Sequence, residues 1–471
     1  MPRTLKVRGI SLIGIMRASF HTLGCKLNYA ETASLERQFK ERGFDIVPFT
    51  EHSDVCVINT CSVTERADRE ARQIVRRVLR TSPNAFVAVI GCYSQLAPEV
   101  IASIDGVDIV LGASEKFRLF DFAGSFKKIS SPKIFVSPIE TVNDFGPAFS
   151  GGVDDRTRAF LKIQDGCDFT CSFCTIPLAR GESRSQSIEA CVLQACQLVL
   201  MGYKEIILTG VNLGDFGKKG NSSFLQLLRE LDNVDGIERI RVSSIEPNLL
   251  NDELIDFWLG SEKICDHFHI PLQHGTDDIL HTMRRRYTSE DYRSLIHSIR
   301  KKSPNAGIGV DVIVGFPGET EELFRENFEF VQELPISYLH VFTYSERPNT
   351  PSINFGGKIE PRIRYSHSDR LRVLGQMKRL DFYRSQRDLV RPMLIEGSVD
   401  KNMLTGYTDN YVRVKVPYHQ SLENSIAMVR IGDIQGDVCN GEIISIRSKQ
   451  TIIDPLYPIV SSAALLQEIK R

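Results

Sequence analysis

Three cysteines fall within eight residues in the stretch DGCDFTCSFCTIPLARG: Cys167, Cys171 and Cys174, spaced C-x3-C-x2-C directly after a predicted strand. Three thiolates this close suit a cubane 4Fe–4S cluster carried on one loop, with one iron left without a protein ligand. Such an open iron can chelate the amino and carboxylate groups of S-adenosylmethionine (SAM). An electron from the cluster then cleaves the sulfonium to a 5′-deoxyadenosyl radical. Zinc is the rival occupant, but zinc motifs usually supply four ligands as two separated pairs, and no second pair lies nearby. Coincidental core cysteines are disfavoured by the tight spacing and by Pro177 and Gly181 just beyond. Phe173, immediately before the last cysteine, either shields the cluster and packs on the SAM adenine or simply packs the loop.

A second set, Cys25, Cys61 and Cys92, is dispersed in sequence but shares a setting, each ending a predicted strand: HTLGC, VINTC and VIGC. If these strands are neighbours in a parallel sheet, their C-terminal ends lie together, where α/β sheets place ligands. Gly24 and Gly91 would let the backbone approach closely, and Asn28, Asn59 and Gln95 offer amides nearby. The pattern alone leaves two readings open, structural strand-end cysteines or a second cluster. Cys56, Cys191, Cys196, Cys265 and Cys439 lack motif spacing and are expected to be packing residues.

The elements that must position these residues are legible as alternation. A chain of 471 residues exceeds one ordinary core, so two or three domains are expected. With 58 basic and 59 acidic residues and 42% apolar content, the composition is that of a soluble globular protein and is silent on partners. No run of about 18 apolar residues exists, so a membrane span is not expected. Eleven cysteines are too few for a disulfide scaffold, and the chain reads as cytoplasmic. The opening MPRTLKVRGISLIGIM resembles a weak signal peptide without its long apolar region. It is expected to be a disordered extension, or to precede a natural start at Met16.

The fold class is α/β in three parts. Residues 16–127 alternate strands with helices such as ETASLERQFKERG and TERADREARQIVRRVLR, the latter capped around Ser62–Val63–Thr64, and imply a small parallel sheet. Residues 128–153 read as a linker. Residues 153–384 carry six strands (AFLKIQ, KEIILTG, RIRVSSI, HFHIPL, GIGVDVIVGF and YLHVFTYS) separated by helices, which makes an open, partial (β/α)6 barrel with its chemistry at the strand C-termini. Residues 386–450 switch to Val- and Ile-rich alternation with turn residues, a small β-barrel, and a tail follows.

At those C-terminal ends Asn212 and Asp215 follow IILTG, Glu246 follows RIRVSSI, and Gln273 follows HFHIPL; each either contacts SAM or substrate or caps a turn, while the adjacent His274 is expected to be structural, since radical chemistry demands no general base. The turn from Gly315 to Thr320 is expected near the adenosyl group.

These segments resemble one family over residues 17–450. HTLGCKLNYAET, VINTCSVT and IGCYSQ resemble the three N-terminal cysteine motifs of the MiaB/RimO/MtaB group of radical SAM methylthiotransferases. KIQDGCDFTCSFCTIPLARGESRS resembles its radical SAM loop, and LTGVNLGDFG, SSIEP, HIPLQHGTDDILHTMRRRYT, DVIVGFPGET and FTYSERPNTPS its later motifs. The resemblance implies two 4Fe–4S clusters, one on Cys167, Cys171 and Cys174 and an auxiliary one on Cys25, Cys61 and Cys92. It implies two uses of SAM, one donating a methyl group to sulfur and one yielding the radical that activates a carbon for methylthio insertion. It also implies an external flavodoxin- or ferredoxin-like electron donor.

Details such as NTCSVTERADREARQ and LTGVNLGDFG are nearest the MtaB branch, whose implied substrate is N6-threonylcarbamoyladenosine beside the anticodon of tRNA. The alternatives are an isopentenyl-type adenosine in tRNA, a ribosomal protein aspartate, or a non-catalytic zinc-dependent RNA-binding protein. The C-terminal barrel resembles a TRAM domain, an RNA-binding module. Beside it, the basic run 361–391 (nine Lys or Arg against three Asp), the triplet Arg284, Arg285 and Arg286, and Tyr407 and Tyr411 become candidates for phosphate contact and base stacking.

The two-cluster reading predicts that the anaerobically reconstituted chain holds about twice the iron of a variant lacking Cys25, Cys61 and Cys92. Iron and sulfide assays check this, and zinc without iron would overturn it.

Overall fold

The computed structural model describes residues 15–62, 65–150, 157–400 and 402–448. The expected cap at Thr64, the first fourteen residues, part of the predicted linker and the tail lie outside them.

The first unit is a six-stranded, all-parallel sheet in the order β2-β1-β3-β4-β5-β6. Its strands are β1 (Arg17–Thr22), β2 (Asp45–Ile46), β3 (Val55–Thr60), β4 (Phe86–Gly91), β5 (Ile109–Leu111) and β6 (Lys133–Phe135). The helices are α1 (Lys26–Glu41), α2 (Glu65–Thr81), α3 (Cys92–Leu96), α4 (Pro98–Ala102) and α5 (Leu119–Ala123). VCVINT and FVAVIG are buried throughout because both faces of the sheet are covered. Val55, Val57, Ala88 and Ile90 pack with Leu35 and Phe39 of α1, while Cys56, Ile58, Val87 and Val89 pack with Ile74, Val75 and Val78 of α2. A parallel sheet under helices needs such continuous apolar strands. The sheet differs from expectation at one edge: β6 falls in the stretch read as a linker. Its three residues are too few to show a period and are ordered by pairing with β5.

The second unit alternates six parallel strands with helices. In chain order these are β7 (Arg158–Lys162), the ribbon β8 (Gln164–Asp165) with β9 (Arg184–Ser185) around α6 (Ile176–Arg180), α7 (Ile188–Leu200), β10 (Glu205–Thr209), α8 (Phe224–Asp232), β11 (Arg239–Val242) and α9 (Asp252–Gly260). There follow β12 (His267–His269), α10 (Asp277–Thr282), α11 (Ser289–Lys302), β13 (Gly307–Val314), α12 (Glu321–Glu333), β14 (Tyr338–Thr343) and α13 (Pro361–Ser385). The half-sheets β7-β10-β11 and β12-β13-β14 are joined by the parallel bridges Ile240↔Ile264 and Ser244↔His269. Among the described residues β7 and β14 do not pair with each other, so the barrel is open.

Successive strand residues face opposite sides. Ala159, Leu161, Ile206, Leu208, Ile240, Val242, Ile308 and Val310 point to the helices and build the main core. Their alternates Arg158, Glu205, Arg239, Arg241, His267, His269, Asp311, Tyr338 and His340 make the inner face polar.

The third unit is a closed five-stranded barrel, β15 (Val390–Asp400), β16 (Met403–Thr408), β17 (Arg413–Pro417), β18 (Ser425–Gln435) and β19 (Val438–Ser448), ordered β15-β16-β17-β19-β18. Phe382 and Tyr383 at the end of α13 enter its core. The barrel also leans on the second unit. Arg239 donates to the carbonyls of Tyr407 and Thr408, and Arg241 to those of Thr408 and Asp409. Tyr411 stacks on His267 at 4.5 Å and on Tyr407 at 4.6 Å. Tyr407 and Tyr411, expected as stacking platforms for bases, are therefore corrected to joint residues. Among the described residues no helix is long and apolar enough to cross a membrane.

The first and second units meet through α1, where Ala30 and Tyr29 pack against Phe160 and Ile207, and through a buried ionic cluster. The Glu31 carboxylate takes Lys116 at 2.7 Å, Arg180 at 3.0 Å and Lys162 at 3.2 Å. Asp165 takes Lys162 at 2.7 Å and Arg180 at 2.9 Å. Burial would raise Glu31, but Arg180, Lys116 and Lys162 outweigh it and hold its carboxyl well below the usual carboxylate range. Asp165 is depressed in the same way, burial being outweighed chiefly by Lys162 and Arg180.

Removing one partner of a buried ionic cluster costs about 3–5 kcal/mol, so Glu31→Gln should lower unfolding stability by that order. The contribution of a depressed carboxyl is complete above its unfolded pKa of about 4.3 and is lost as the pH falls toward the folded value. Thermal unfolding of both proteins should show a gap that is full near neutrality and narrows in acid. A gap that widened in acid would overturn this account.

Candidate active site

Cys25, Cys61 and Cys92 stand at the C-terminal ends of three neighbouring strands, β1, β3 and β4. Cys25 is the N-cap of α1. Cys92 opens α3. The two glycines beside them are required. A Cβ on Gly24 (φ +101°) would lie 2.7 Å from Cβ and 2.9 Å from Sγ of Cys61. One on Gly91 (φ +100°) would meet Asn59 Oδ1 and the Thr60 carbonyl at 2.4 Å. Asn28, fully buried, donates to the carbonyls of Leu23 and Thr60, and Asn59 donates to the Asn28 carbonyl; both fix the strand ends. Gln95 does a different task, bridging Ala113 N and the Ser137 carbonyl.

Cys167, Cys171 and Cys174 lie on the loop between β8 and α6, and each sulfur accepts one N–H. The donors are Phe169 N to Cys167 at 3.4 Å, Arg285 Nη1 to Cys171 at 3.1 Å and Ile176 N to Cys174 at 3.4 Å. Burial pushes the Cys167 and Cys174 thiols up to about 12, so in the bare protein they are protonated; bound metal reverses this by taking the thiolate.

Each set offers three thiols, the donor count of a cubane cluster that leaves one iron without a protein ligand, and one short of the four ligands of a closed structural zinc site.

The two triads share one space between the units. Arg180, six residues after Cys174, donates to Asn28 Oδ1 at 2.6 Å and pairs with Glu31, six residues after Cys25. The Cys92 and Cys25 sulfurs count among the groups that raise Arg180 well above its ordinary value against the cost of burial. Thr175, next to Cys174, donates to the carbonyl of Ser62, next to Cys61.

A cavity of about 270 Å³ opens beside Cys174, with Phe173, Gln273, Asp311 and Phe342 in its wall. Phe173 also packs edge-on to Phe316, and Gln273 adopts φ +69°. Asn212, Asp215 and Glu246 stand elsewhere, around Cys167 and Cys171. Asn212 donates to Asp215 at 2.7 Å, Asp215 pairs with Lys218, and Asp215 and Glu246 both act electrostatically on Cys167. Burial raises the Glu246 carboxyl even against the bound Arg285 guanidinium.

One expectation changes. Arg285, read with its neighbours as a phosphate contact, is buried between Glu246 and Cys171. His274 and the Gly315–Thr320 turn form a clamp. The buried Glu319 carboxylate accepts Gly315 N and meets His274 Nε2 at 3.3 Å and His367 Nδ1 of α13 at 2.8 Å.

Residues not singled out within their motifs also reach the inner face. Asp311 lies 3.1 Å from both His269 and His340, and Lys26 has Arg241, Arg158, Glu205 and Asp311 as electrostatic neighbours. The sequence signals for Asp311 are its place at the head of DVIVGFPGET and its standing as a lone acid within the apolar run GIGVDVIVGF.

Comparison with known proteins agrees with this geometry. Residues 17–112 match the uncharacterized protein family UPF0004, and residues 161–331 match the radical SAM superfamily. The threonylcarbamoyladenosine tRNA methylthiotransferase MtaB of Bacillus subtilis is 39% identical, over 88% of this chain and 93% of that protein. Its namesake from Aquifex aeolicus is 38% identical, over 85% and 96%. A tRNA-2-methylthio-N(6)-dimethylallyladenosine synthase from Alkaliphilus oremlandii is 30% identical, over 90% and 92%. Among solved structures, the radical SAM methyltransferase TsrM from Kitasatospora setae, with tryptophan and a SAM analogue, superposes with a TM-score of 0.54. It is 15% identical, with 72% of this chain and 75% of that one covered, and so shares the fold.

The Arg285 contact predicts a shift in redox behaviour. A guanidinium on a ligand sulfur stabilises the more negative, reduced cluster, so Arg285→Gln should lower the midpoint potential of the loop-triad cluster by on the order of tens of millivolts. An EPR-monitored redox titration checks it; an unchanged potential with full iron content would exclude the effect.

Proposed function

The chain belongs to the radical SAM methylthiotransferases of the MiaB/RimO/MtaB group, and we propose that it methylthiolates C2 of N6-threonylcarbamoyladenosine beside the anticodon of tRNA. The observation that carries the proposal is the meeting of two cysteine triads from different units, tied by Arg180 and by the Thr175–Ser62 contact. In this reading Cys167, Cys171 and Cys174 hold the SAM-binding cluster, and Cys25, Cys61 and Cys92 hold the auxiliary one. When bound, the clusters and SAM supply the radical and the methylated sulfur.

The protein's own residues position the partners. The Phe169, Arg285 and Ile176 N–H groups steady the loop sulfurs. Phe173 and Gln273 wall the cavity beside Cys174 and are assigned to SAM or the target base. Asn212, Asp215 and Glu246 hold the other side of the loop. An external electron donor of the flavodoxin or ferredoxin type would supply the electron that this chemistry needs.

For tRNA, the TRAM-like barrel and α13 offer the landing surface. Part of the basic run is already engaged, since Arg364 pairs with Glu346, Lys378 binds the Gln332 and Leu334 carbonyls, and Arg391 pairs with Asp266 and Asp409. Arg362, Arg372, Arg384 and Arg387 are exposed, as is Tyr365; the last three arginines hold solvent-exposed pairs with Asp369, Asp381 and Asp433, and all are assigned to phosphate and base contact.

Nucleoside mass spectrometry of tRNA tests the substrate. A strain lacking the gene should lose 2-methylthio-N6-threonylcarbamoyladenosine and accumulate its unthiolated precursor, with restoration by the wild-type chain and not by a Cys61→Ala variant. Persistence of that nucleoside while another methylthio product disappears would reject this substrate.

A further inference from the structure

The inner face of the open barrel carries charge that is almost entirely matched. Arg239 and Arg241 pair with Glu205 at 2.8 and 2.9 Å. Arg158 pairs with Glu396 at 2.6 Å, and Asp311 is shared by His269 and His340. Lys26 is the exception. As the first residue of α1, it is carried by the first unit into this face of the second. Its electrostatic neighbours are Arg241, Arg158, Glu205, Asp311 and His267, yet among the described residues no ion pair or hydrogen bond holds its ammonium. The side chain remains open to water. A lysine placed beside two arginines, with the nearby carboxylates Glu205 and Asp311 already taken by Arg239, Arg241, His269 and His340, lacks an anion of its own.

We propose that Lys26 binds the carboxylate of the threonyl group on the target base and thereby selects that base over uncharged adenosine derivatives. This rests on the substrate reading above and deepens it. The alternative anion is a backbone phosphate of the RNA, and placement favours the carboxylate. Lys26 adjoins Cys25, and its neighbour Asp311 lines the cavity beside Cys174. The part of a nucleotide closest to both triads is the reacting base, so the anion presented there is one the base carries. Lysine suits the task as a flexible point charge with three donors. An isopentenyl-type adenosine would leave the cation unpaired, and a site built for a polar partner penalises a ligand lacking it.

The test uses the reconstituted holoenzyme and anticodon stem-loop RNA carrying N6-threonylcarbamoyladenosine, either as the free acid or as its methyl ester. Charge-assisted hydrogen bonds of this kind correspond to about 10- to 100-fold in affinity. The wild type should show a KM for the ester raised by that factor. Lys26→Gln should show the same rise for the acid and no further penalty for the ester.

A wild type that treats acid and ester alike overturns the inference, and this comparison stands by itself if Lys26→Gln loses iron through its proximity to Cys25. An ester penalty undiminished in an iron-replete Lys26→Gln also overturns it. A KM rise for the acid in Lys26→Gln, without wild-type discrimination against the ester, assigns the lysine to phosphate instead. Failure of the wild type to modify either RNA sinks the substrate reading, and the inference with it; modification of the acid RNA without any role for Lys26 sinks the inference alone.

Discussion

Arg180 is a fully buried cation standing between two units of the chain, and the arrangement of the site follows from how its charge is satisfied. Its guanidinium reaches Asn28 and Glu31 of the first unit and Asp165 of the second. In a low-dielectric interior none of these groups tolerates loss of its partners, so the position of α6 relative to α1 is closely defined. Because Arg180 follows Cys174 by six residues and Glu31 follows Cys25 by six, one ionic contact registers both cysteine sets. A planar fork of donors makes this possible where a lysine's single ammonium would not. Such clusters add little net stability over well-packed apolar groups; their effect here is on orientation.

Around that joint, ordinary sheet physics does the placing. Parallel strands gather their C-terminal ends at one edge, and both units turn that edge toward the same space. Period-two alternation makes one side of the second unit's strands apolar for the helices. It makes the other polar, so that the interior of an open barrel becomes a chamber of matched charge. The third unit closes the far side of this chamber, with Arg239 and Arg241 anchoring its turn and Tyr411 lying on His267. The Glu319 carboxylate ties the β13–α12 turn to α13, which in turn carries the small barrel. The segment expected to touch RNA is thus mechanically continuous with the strands that frame the chemistry.

Two basic motifs show how burial redirects charge. Arg285 belongs to a triplet that looks like a surface patch, yet it turns inward onto Cys171 and Glu246, while its neighbour Arg286 lies over the Phe169 ring at 3.9 Å. In the run 361–391 helical period decides which side chains face inward, so Arg364 and Lys378 bind internal acceptors while Arg362, Arg372 and Arg384 stay outside. Clustered charge in sequence therefore fixes neither exposure nor partner.

From the residues alone came the six barrel strands, the first unit's parallel sheet, the final small barrel, the loop triad, and Cys25, Cys61 and Cys92 as a strand-end set whose reading as a second cluster came from the family resemblance. Each rests on a local signal: apolar period, turn chemistry, or thiols at close or repeated spacing. Cys61 and Cys92 were legible because each ends a run that only a buried parallel strand explains. Tertiary structure alone decided what depends on elements distant in sequence. It showed that the triads face one space, that Arg180 and Arg285 belong to them, that Tyr407 and Tyr411 are joint residues, and that Lys26 stands unpaired among the charges of another unit. A one-dimensional pattern records which face of a strand or helix a residue occupies, but the partner on that face is chosen by packing between elements more than a hundred residues apart, as Arg180 and Glu31 are.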